Sequence, residues 1–277
     1  MILHQVEDYR ILGTIARAEQ VPGATADAIR HYEQALHHCP ETDFSEKAAT
    51  LSNMAGVVAQ QGDIERALQL WQESLEIQER IGDVQGKAAT LANMAWIAGE
   101  QGDRIRQFEL NGPAAQALAQ VKAYGDLFTV LSNLGATAPD HSDAYLAQAL
   151  WLGIRIQTSL SDLINLLRFF YNRVPQGDGM EPLLAATALF VCQVRGAGHP
   201  QLNDLQHTSL QMVDNAAVSQ GVEVDSPETL THWMAAQQLN DPQVFLPRLN
   251  QQLVAMIGNH WLFDPTGFSS NPLQISN

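Results

Sequence analysis

Three asparagines, spaced 40 residues apart, are the side chains of this sequence with the plainest chemical use. Asn53, Asn93 and Asn133 occupy the same place in three similar segments of the chain. A side-chain amide carries one acceptor and two donors, so it suits paired hydrogen bonds with the backbone of an extended peptide. An alternative explanation is that each asparagine belongs to the repeated segment and hydrogen bonds a neighbouring helix of the chain itself.

The residues one and two turns after each asparagine would set the sequence preference, because an amide recognises backbone and not side chains. Trp96 suits an apolar anchor, although a large apolar residue on a helix is often a core residue. Glu100 and Asp140, together with a net charge of −15, favour a ligand that carries Lys or Arg. The full set of neighbours is Gly56 and Gln60, Trp96 and Glu100, and Ala136 and Asp140.

Other reaction chemistry has no support in the sequence. No nucleophile elbow, phosphate-binding glycine loop or HExxH pair is present, which predicts a protein that is not an enzyme and carries no cofactor. The histidines at 31, 37 and 38 are interpreted as packing or surface residues and not as metal ligands. Cys39 and Cys192 share no motif and are expected to be free thiols. An enzyme using acidic residues as general acid and base is a rival hypothesis that no residue spacing supports.

A repeat of 40 residues positions the asparagines. The segment 47–55 recurs at 87–95, and part of it recurs again at 131–135. Within each unit, apolar and small residues follow the i, i+3, i+4, i+7 pattern of one helix face, so each unit is expected to form two helices. Gly62 is predicted to end the first helix in the left-handed conformation, and Asp63 to cap the second, in which Trp71 is buried.

At these positions the chain resembles the tetratricopeptide repeat family. The period is similar to that of the subgroup with lengthened helices found in kinesin light chains and in peptide-sensing bacterial regulators. The resemblance implies an all-α, right-handed superhelical solenoid of about thirteen helices in antiparallel pairs. It also implies that the first helices of the units line a concave groove, with the three asparagines in a row along it. The residues that carry it are Leu51, Met54, Ala55, Gly62, Ala67, Trp71 and Ser74.

The resemblance extends to about residue 160 and weakens beyond it. It predicts a repeat array over 1–160, divergent helical repeats and a cap over 161–265, and a flexible tail over 266–277. Within the array, the units are expected near 1–42, 43–82, 83–125 and 126–160, and the turn at 20–24 of the first unit is unusually long.

Local irregularities add further expectations about the helices. The segment 111–113, Asn-Gly-Pro, predicts a kink or restart in the second helix of its unit. Gly125 and Asp126 predict the following turn. Pro200, Pro227 and Pro242 predict three helix starts in the last third of the chain.

Composition restricts the class of partner. With 30 acidic against 15 basic residues, the chain lacks a face that could release phosphate counterions, which argues against nucleic acid. The same charge argues against an anionic membrane surface. A protein or peptide partner, basic or neutral, is therefore expected. No secretory signal and no apolar stretch of about 18 residues is present, which predicts a cytoplasmic protein without membrane insertion. A rival hypothesis is a homodimer formed through Trp233, Phe245, Trp261 and Phe263 of the C-terminal helices.

Overall fold

The computed structural model of the chain describes residues 2–18 and 23–268, without the side chains of residues 2–6 and 16–18. These described residues form thirteen α-helices and a short 3-10 helix and contain no strand, which confirms the predicted all-α class and helix number. The helices are α1 (Ile2–Ala18), α2 (Ala24–His38), α3 (Phe44–Gln60), α4 (Ile64–Ile81), α5 (Val84–Glu100), α6 (Arg104–Gln120), α7 (Tyr124–Thr137), α8 (Ser142–Arg155), α9 (Leu160–Tyr171), α10 (Met180–Arg195), α11 (Leu202–Ser219), α12 (Pro227–Ala236) and α13 (Pro242–Ile257).

The chain divides into two compact units, Met1–Val130 and Leu131–Asn277. In the first unit, α1 packs with α2, α3 with α4, and α5 with α6, as expected for tandem helix pairs. The first helices also contact one another, α1 with α3 and α3 with α5, and so form one layer. Each second helix packs against the first helix of the next pair, α2 on α3 and α4 on α5. The predicted division of the array into units stays a prediction.

The turns inside the two clearest pairs have the predicted chemistry. Gly62 and Gly102 adopt φ values of 89° and 77°, in the left-handed region that a residue without Cβ enters at little cost. The side chain of Asp63 accepts a hydrogen bond from the backbone N–H of Arg66 at 3.2 Å. Asp103 caps α6 in the same way, which confirms that each turn ends one helix and begins the next.

The predicted turn at Gly125 and Asp126 is wrong, because both residues lie inside α7. The chain turns instead at Lys122, whose φ is 57°, one period of 40 residues after Gly82 with φ 69°. A left-handed conformation costs a non-glycine residue roughly 1–2 kcal/mol, so a turn of this kind is expected at a glycine and not at a lysine. The turn was therefore predicted at Gly125. The 40-residue period of the backbone therefore persists where the glycine does not.

Of the kink or restart predicted at 111–113, the restart is not seen, because α6 is one continuous helix with Pro113 inside it. The kink stays a prediction. Proline has no N–H to donate to the carbonyl of Glu109, four residues earlier. Both Glu109 and Pro113 are exposed, so water can reach this side of the helix and take the place of the missing donor.

In the second unit, α10 packs against α9, α11 and α13, and α8 packs against α9 and α13. Two of the three proline starts are confirmed at α12 and α13, where Ser226 and Asp241 cap the helix. The helix predicted to start at Pro200 is α11, which begins two residues later, at Leu202. The buried side chain of Gln148 fixes the segment after α13, because it donates to the carbonyl of His260 and accepts from the N–H of Leu262.

The C-terminal aromatic residues proposed for a dimer interface are largely core residues. Phe245, Phe263 and Trp233 are only 1%, 7% and 8% exposed, and the Trp261 ring packs edge-on against Trp151 at 5.1 Å. The chain itself covers these rings, so they offer little surface to a second copy. Of the tail expected to be flexible, residues 266 and 267 lie in the 3-10 helix Pro265–Gly267 and residue 268 follows it. The remainder of the tail lies outside the described residues.

Candidate functional site

Two polar contacts join the helices of the layer formed by α1, α3 and α5, and one of them lies beside Asn53. The Ser52 hydroxyl lies 3.1 Å from the Thr90 hydroxyl, which joins α3 to α5 one residue from Asn53. The Arg10 guanidinium donates to the Glu46 carboxylate at 2.6 Å and joins α1 to α3. The repeat does not indicate the serine–threonine contact, because its partners are 38 residues apart and the repeat aligns residues 40 apart.

One side of α3 and α5 carries the candidate residues, spaced three or four residues apart as neighbours on one helix face are. We name this side the amide face. Its members are Ala49, Asn53, Gly56 and Gln60 of α3 with Ala89, Asn93, Trp96 and Glu100 of α5.

The side-chain amides on this face have no partner within the chain that the structure describes. Asn53 is half-buried and Asn93 is exposed, and neither amide hydrogen bonds any described residue. The contact with a neighbouring helix, which the alternative explanation requires, is therefore absent from residues 2–18 and 23–268. Each amide keeps its donors and acceptor for water or a ligand.

Trp96 is not a core residue, since its side chain is 52% exposed. Trp71, the tryptophan of the preceding helix pair, is only 1% exposed. Gln60 and Glu100 are exposed at the ends of α3 and α5. The amide face thus combines free amides, one large uncovered ring and one carboxylate.

Small residues lie one turn from each amide on the same helix face. Gly56 follows Asn53 by one turn and is half-buried, while Ala49 and Ala89 precede the two asparagines by one turn. These two alanines are not among the residues predicted for the site, although both lie in the repeated segment Lys-Ala-Ala-Thr-Leu.

Asn133 belongs to the second compact unit, where it is half-buried in α7. Its backbone carbonyl accepts a hydrogen bond from the Thr137 hydroxyl at 2.8 Å. Because α7 ends at Thr137, Asp140 lies beyond the helix and does not continue the helical face on which we expected it.

Two of the clustered histidines pack against an aromatic ring, and both cysteines are free thiols. Tyr9 stacks with His38 at 5.6 Å and with His31 at 6.4 Å between ring centroids. No group of three or more His, Cys, Asp or Glu in the described part of the chain could hold a metal ion. Cys39 and Cys192 form no disulfide, and burial raises the pKa of both thiols, which disfavours the reactive thiolate.

Comparison with known families agrees with this architecture. Residues 46–104, which include α4 and α5 and most of α3, match the family model for the tetratricopeptide repeat. Repeats of this family are scaffolds for protein interactions and typically have no catalytic activity. The match supports the family resemblance over these residues, and a comparison with curated proteins found no match. Across residues 2–18 and 23–268, no helix combines the length and the apolar character needed to cross a membrane.

Proposed function

We propose that the first compact unit is a binding scaffold that holds an extended segment of a partner protein on its amide face. The single observation that carries the proposal is the pair of unpartnered amides, Asn53 and Asn93, at equivalent positions of adjacent helices. Their donors and acceptors match the alternating N–H and C=O groups of an extended backbone. We assign Asn133 the same role within the second unit.

The partner segment is proposed to be basic or neutral. The chain carries a net charge of −15, and the polar residues at the ends of the amide face are Gln60 and Glu100. A Lys and Arg clamp for a C-terminal carboxylate is absent from the eight residues of this face, which favours an internal segment. The 40-residue period supports a relationship with kinesin light chains and bacterial peptide-sensing proteins. We place this binding in the cytoplasm, in keeping with two free cysteines.

A displayed library of random twelve-residue peptides tests the proposal. The wild-type chain is used for selection, and the Asn53→Ala/Asn93→Ala double variant is used to remove peptides that do not need the amides. We expect the remaining peptides to share no rigid side-chain motif at most positions, because the amides recognise backbone.

Asn93→Ala should weaken the best selected peptide by about 1–3 kcal/mol, since backbone groups of the bound peptide would lose their partner. Isothermal titration calorimetry measures the change. Asn215→Ala, at an exposed asparagine of α11, is the matched control and should leave the affinity unchanged. An unchanged affinity for Asn93→Ala, with the helical content and melting temperature of the wild type, would show that the amides do not bind the segment.

A further inference from the structure

We infer that Trp96 and Glu100 together bind an arginine side chain of the partner segment. This inference rests on the proposed function and specifies one side chain that the bound segment carries. The ring would stack on the planar guanidinium, and the carboxylate would accept its N–H groups.

Elsewhere in the chain, two arginines each cover an aromatic ring four residues earlier. Arg155 follows Trp151 by four residues, and its guanidinium carbon lies 3.4 Å from the ring centroid. Arg173 follows Phe169 by the same interval, and its guanidinium carbon lies 5.7 Å from that ring. Trp151 is buried within α8, whereas Phe169 is 39% exposed on α9 and Arg173 lies just past the end of that helix.

At Trp96 the residue four positions later is Glu100, an anion in place of the cation. The ring is 52% exposed, and no described arginine or lysine lies over it. Glu100 forms no ion pair with any described residue. The ring lacks its cation and the carboxylate lacks its counterion, so one external guanidinium would satisfy both.

Helix geometry makes the two groups act on one ligand. Side chains four residues apart are neighbours on a helix surface, with Cβ atoms about 5–6 Å apart. Side chains on a helix also lean toward its N-terminus, which directs Glu100 back over the turn that carries Trp96. Arginine fits better than lysine, because its flat guanidinium can stack on the ring while its edge donates to the carboxylate.

The basic residues of α5 and of the start of α6 form no ion pair with Glu100. Lys87, at the other end of α5, pairs with Glu79 at 2.7 Å. Arg104 and Arg106 begin α6 beyond the turn and are exposed, and neither forms an ion pair with a described residue. Glu100 is exposed, and exposed charges are screened by salt, so a higher ionic strength should lower the affinity for the arginine side chain.

Three blocked pentapeptides test the inference, each with glycine at four positions and arginine, citrulline or lysine at the centre. Citrulline has the planar shape of arginine without its charge. The probe is the indole N–H signal of Trp96 in a two-dimensional NMR spectrum, assigned by its loss in Trp96→Phe. We expect the arginine peptide to shift this signal and to bind about fivefold more tightly than the citrulline peptide, with lysine between them.

Glu100→Gln should lower the affinity for the arginine peptide about fivefold. Glu109→Gln, which removes an equal charge from an exposed position of α6, should lower it less than twofold. Equal shifts by arginine and citrulline would overturn the inference, as would an equal loss in the Glu100 and Glu109 variants. If both variants have the melting temperature of the wild type, unfolding is excluded as the cause of a lower affinity.

The peptides selected by the intact amide face separate this inference from the function on which it rests. If their binding is lost in Asn93→Ala but is unaffected by Glu100→Gln, the arginine site is wrong and the proposed function stands. If the arginine pentapeptide binds as expected while no selected peptide depends on the amides, the proposed function is wrong and the cation site stands alone.

Discussion

Two successive helix pairs, α3–α4 and α5–α6, have helices of nearly equal length but place their tryptophans in opposite environments. The first pair buries Trp71 in its second helix and has Gly56 on the amide face. The second pair has Asn111 in place of the buried tryptophan and Trp96 in place of the glycine. One ring belongs to the core and the other to an open surface. The repeat therefore conserves the helices and their caps, while core and surface positions vary independently.

The second pair has a less favourable core at this position. Asn111 is completely buried, and neither its amide oxygen nor its amide nitrogen has a hydrogen-bond partner among the described residues. A buried polar group without a partner costs about 1–3 kcal/mol. Trp71 leaves only its indole N–H without a partner and buries a large apolar ring. We expect α4 to be held more strongly than α6.

The largest expected effect is that of Trp71→Ala, which should destabilise its helix pair by about 3–5 kcal/mol, because it leaves a cavity the size of the ring. Hydrogen exchange followed by mass spectrometry measures the loss of protection in α3 and α4 separately from the other helices. Trp96→Ala is the matched control, since it removes the same ring from a surface position, and should change protection by less than about 0.5 kcal/mol. Comparable losses in the two variants would contradict the assignment of Trp96 to the surface.

A substitution in the second pair should have the opposite sign. Asn111→Leu keeps the branching of the side chain and removes two unpaired polar atoms, so it should stabilise α5 and α6 by about 1–3 kcal/mol. Urea unfolding and the same exchange measurement report the gain. Gln116→Leu, at an exposed position of α6, is the control and should change little. Destabilisation by Asn111→Leu would mean that the amide has a partner, such as an internal water molecule, on which the pair depends.

Structural features that recur in each unit could be predicted from the sequence, whereas features that depend on contacts between helices could not. The caps at Asp63 and Asp103 were predictable, because a glycine followed by an aspartate is a local signal. The turn at Lys122 was not predictable, because this lysine adopts a left-handed conformation that usually favours glycine. Nor could the sequence indicate that Asn111 is buried without a partner, because burial is set by the helices around it.

The candidate site shows the same limit. The equal spacing of the asparagines was visible in the sequence, whereas the exposure of Trp96 was left open, because a large apolar residue on a helix is often a core residue. Only its surroundings distinguish Trp96 from Trp71. The prediction that Asp140 lies on the same helix face as Asn133 was wrong for a related reason, because it required α7 to continue past Thr137.

The smallest effect concerns a polar contact that only the first pair has. The buried hydroxyl of Ser74 donates to the carbonyl of Ala48 at 2.8 Å and so joins α4 to α3. The equivalent residue of the second pair is Ala114, which has no hydroxyl to offer the carbonyl of Ala88. Ser74→Ala should therefore cost about 0.5–1.5 kcal/mol, the usual net contribution of such a hydrogen bond.

The reciprocal variant, Ala114→Ser, makes this last comparison sharper. If the two pairs share one backbone geometry, the new hydroxyl reaches the carbonyl of Ala88 and offsets its own desolvation, so stability changes by less than about 0.5 kcal/mol. Urea unfolding of the two single variants and their double variant gives both values. A loss of 1 kcal/mol or more in Ala114→Ser, about the cost of a buried hydroxyl without a partner, would show that the helices of the second pair are spaced differently. The backbone equivalence of the two pairs would then end at α6, where Asn111 and Pro113 already depart from the first pair.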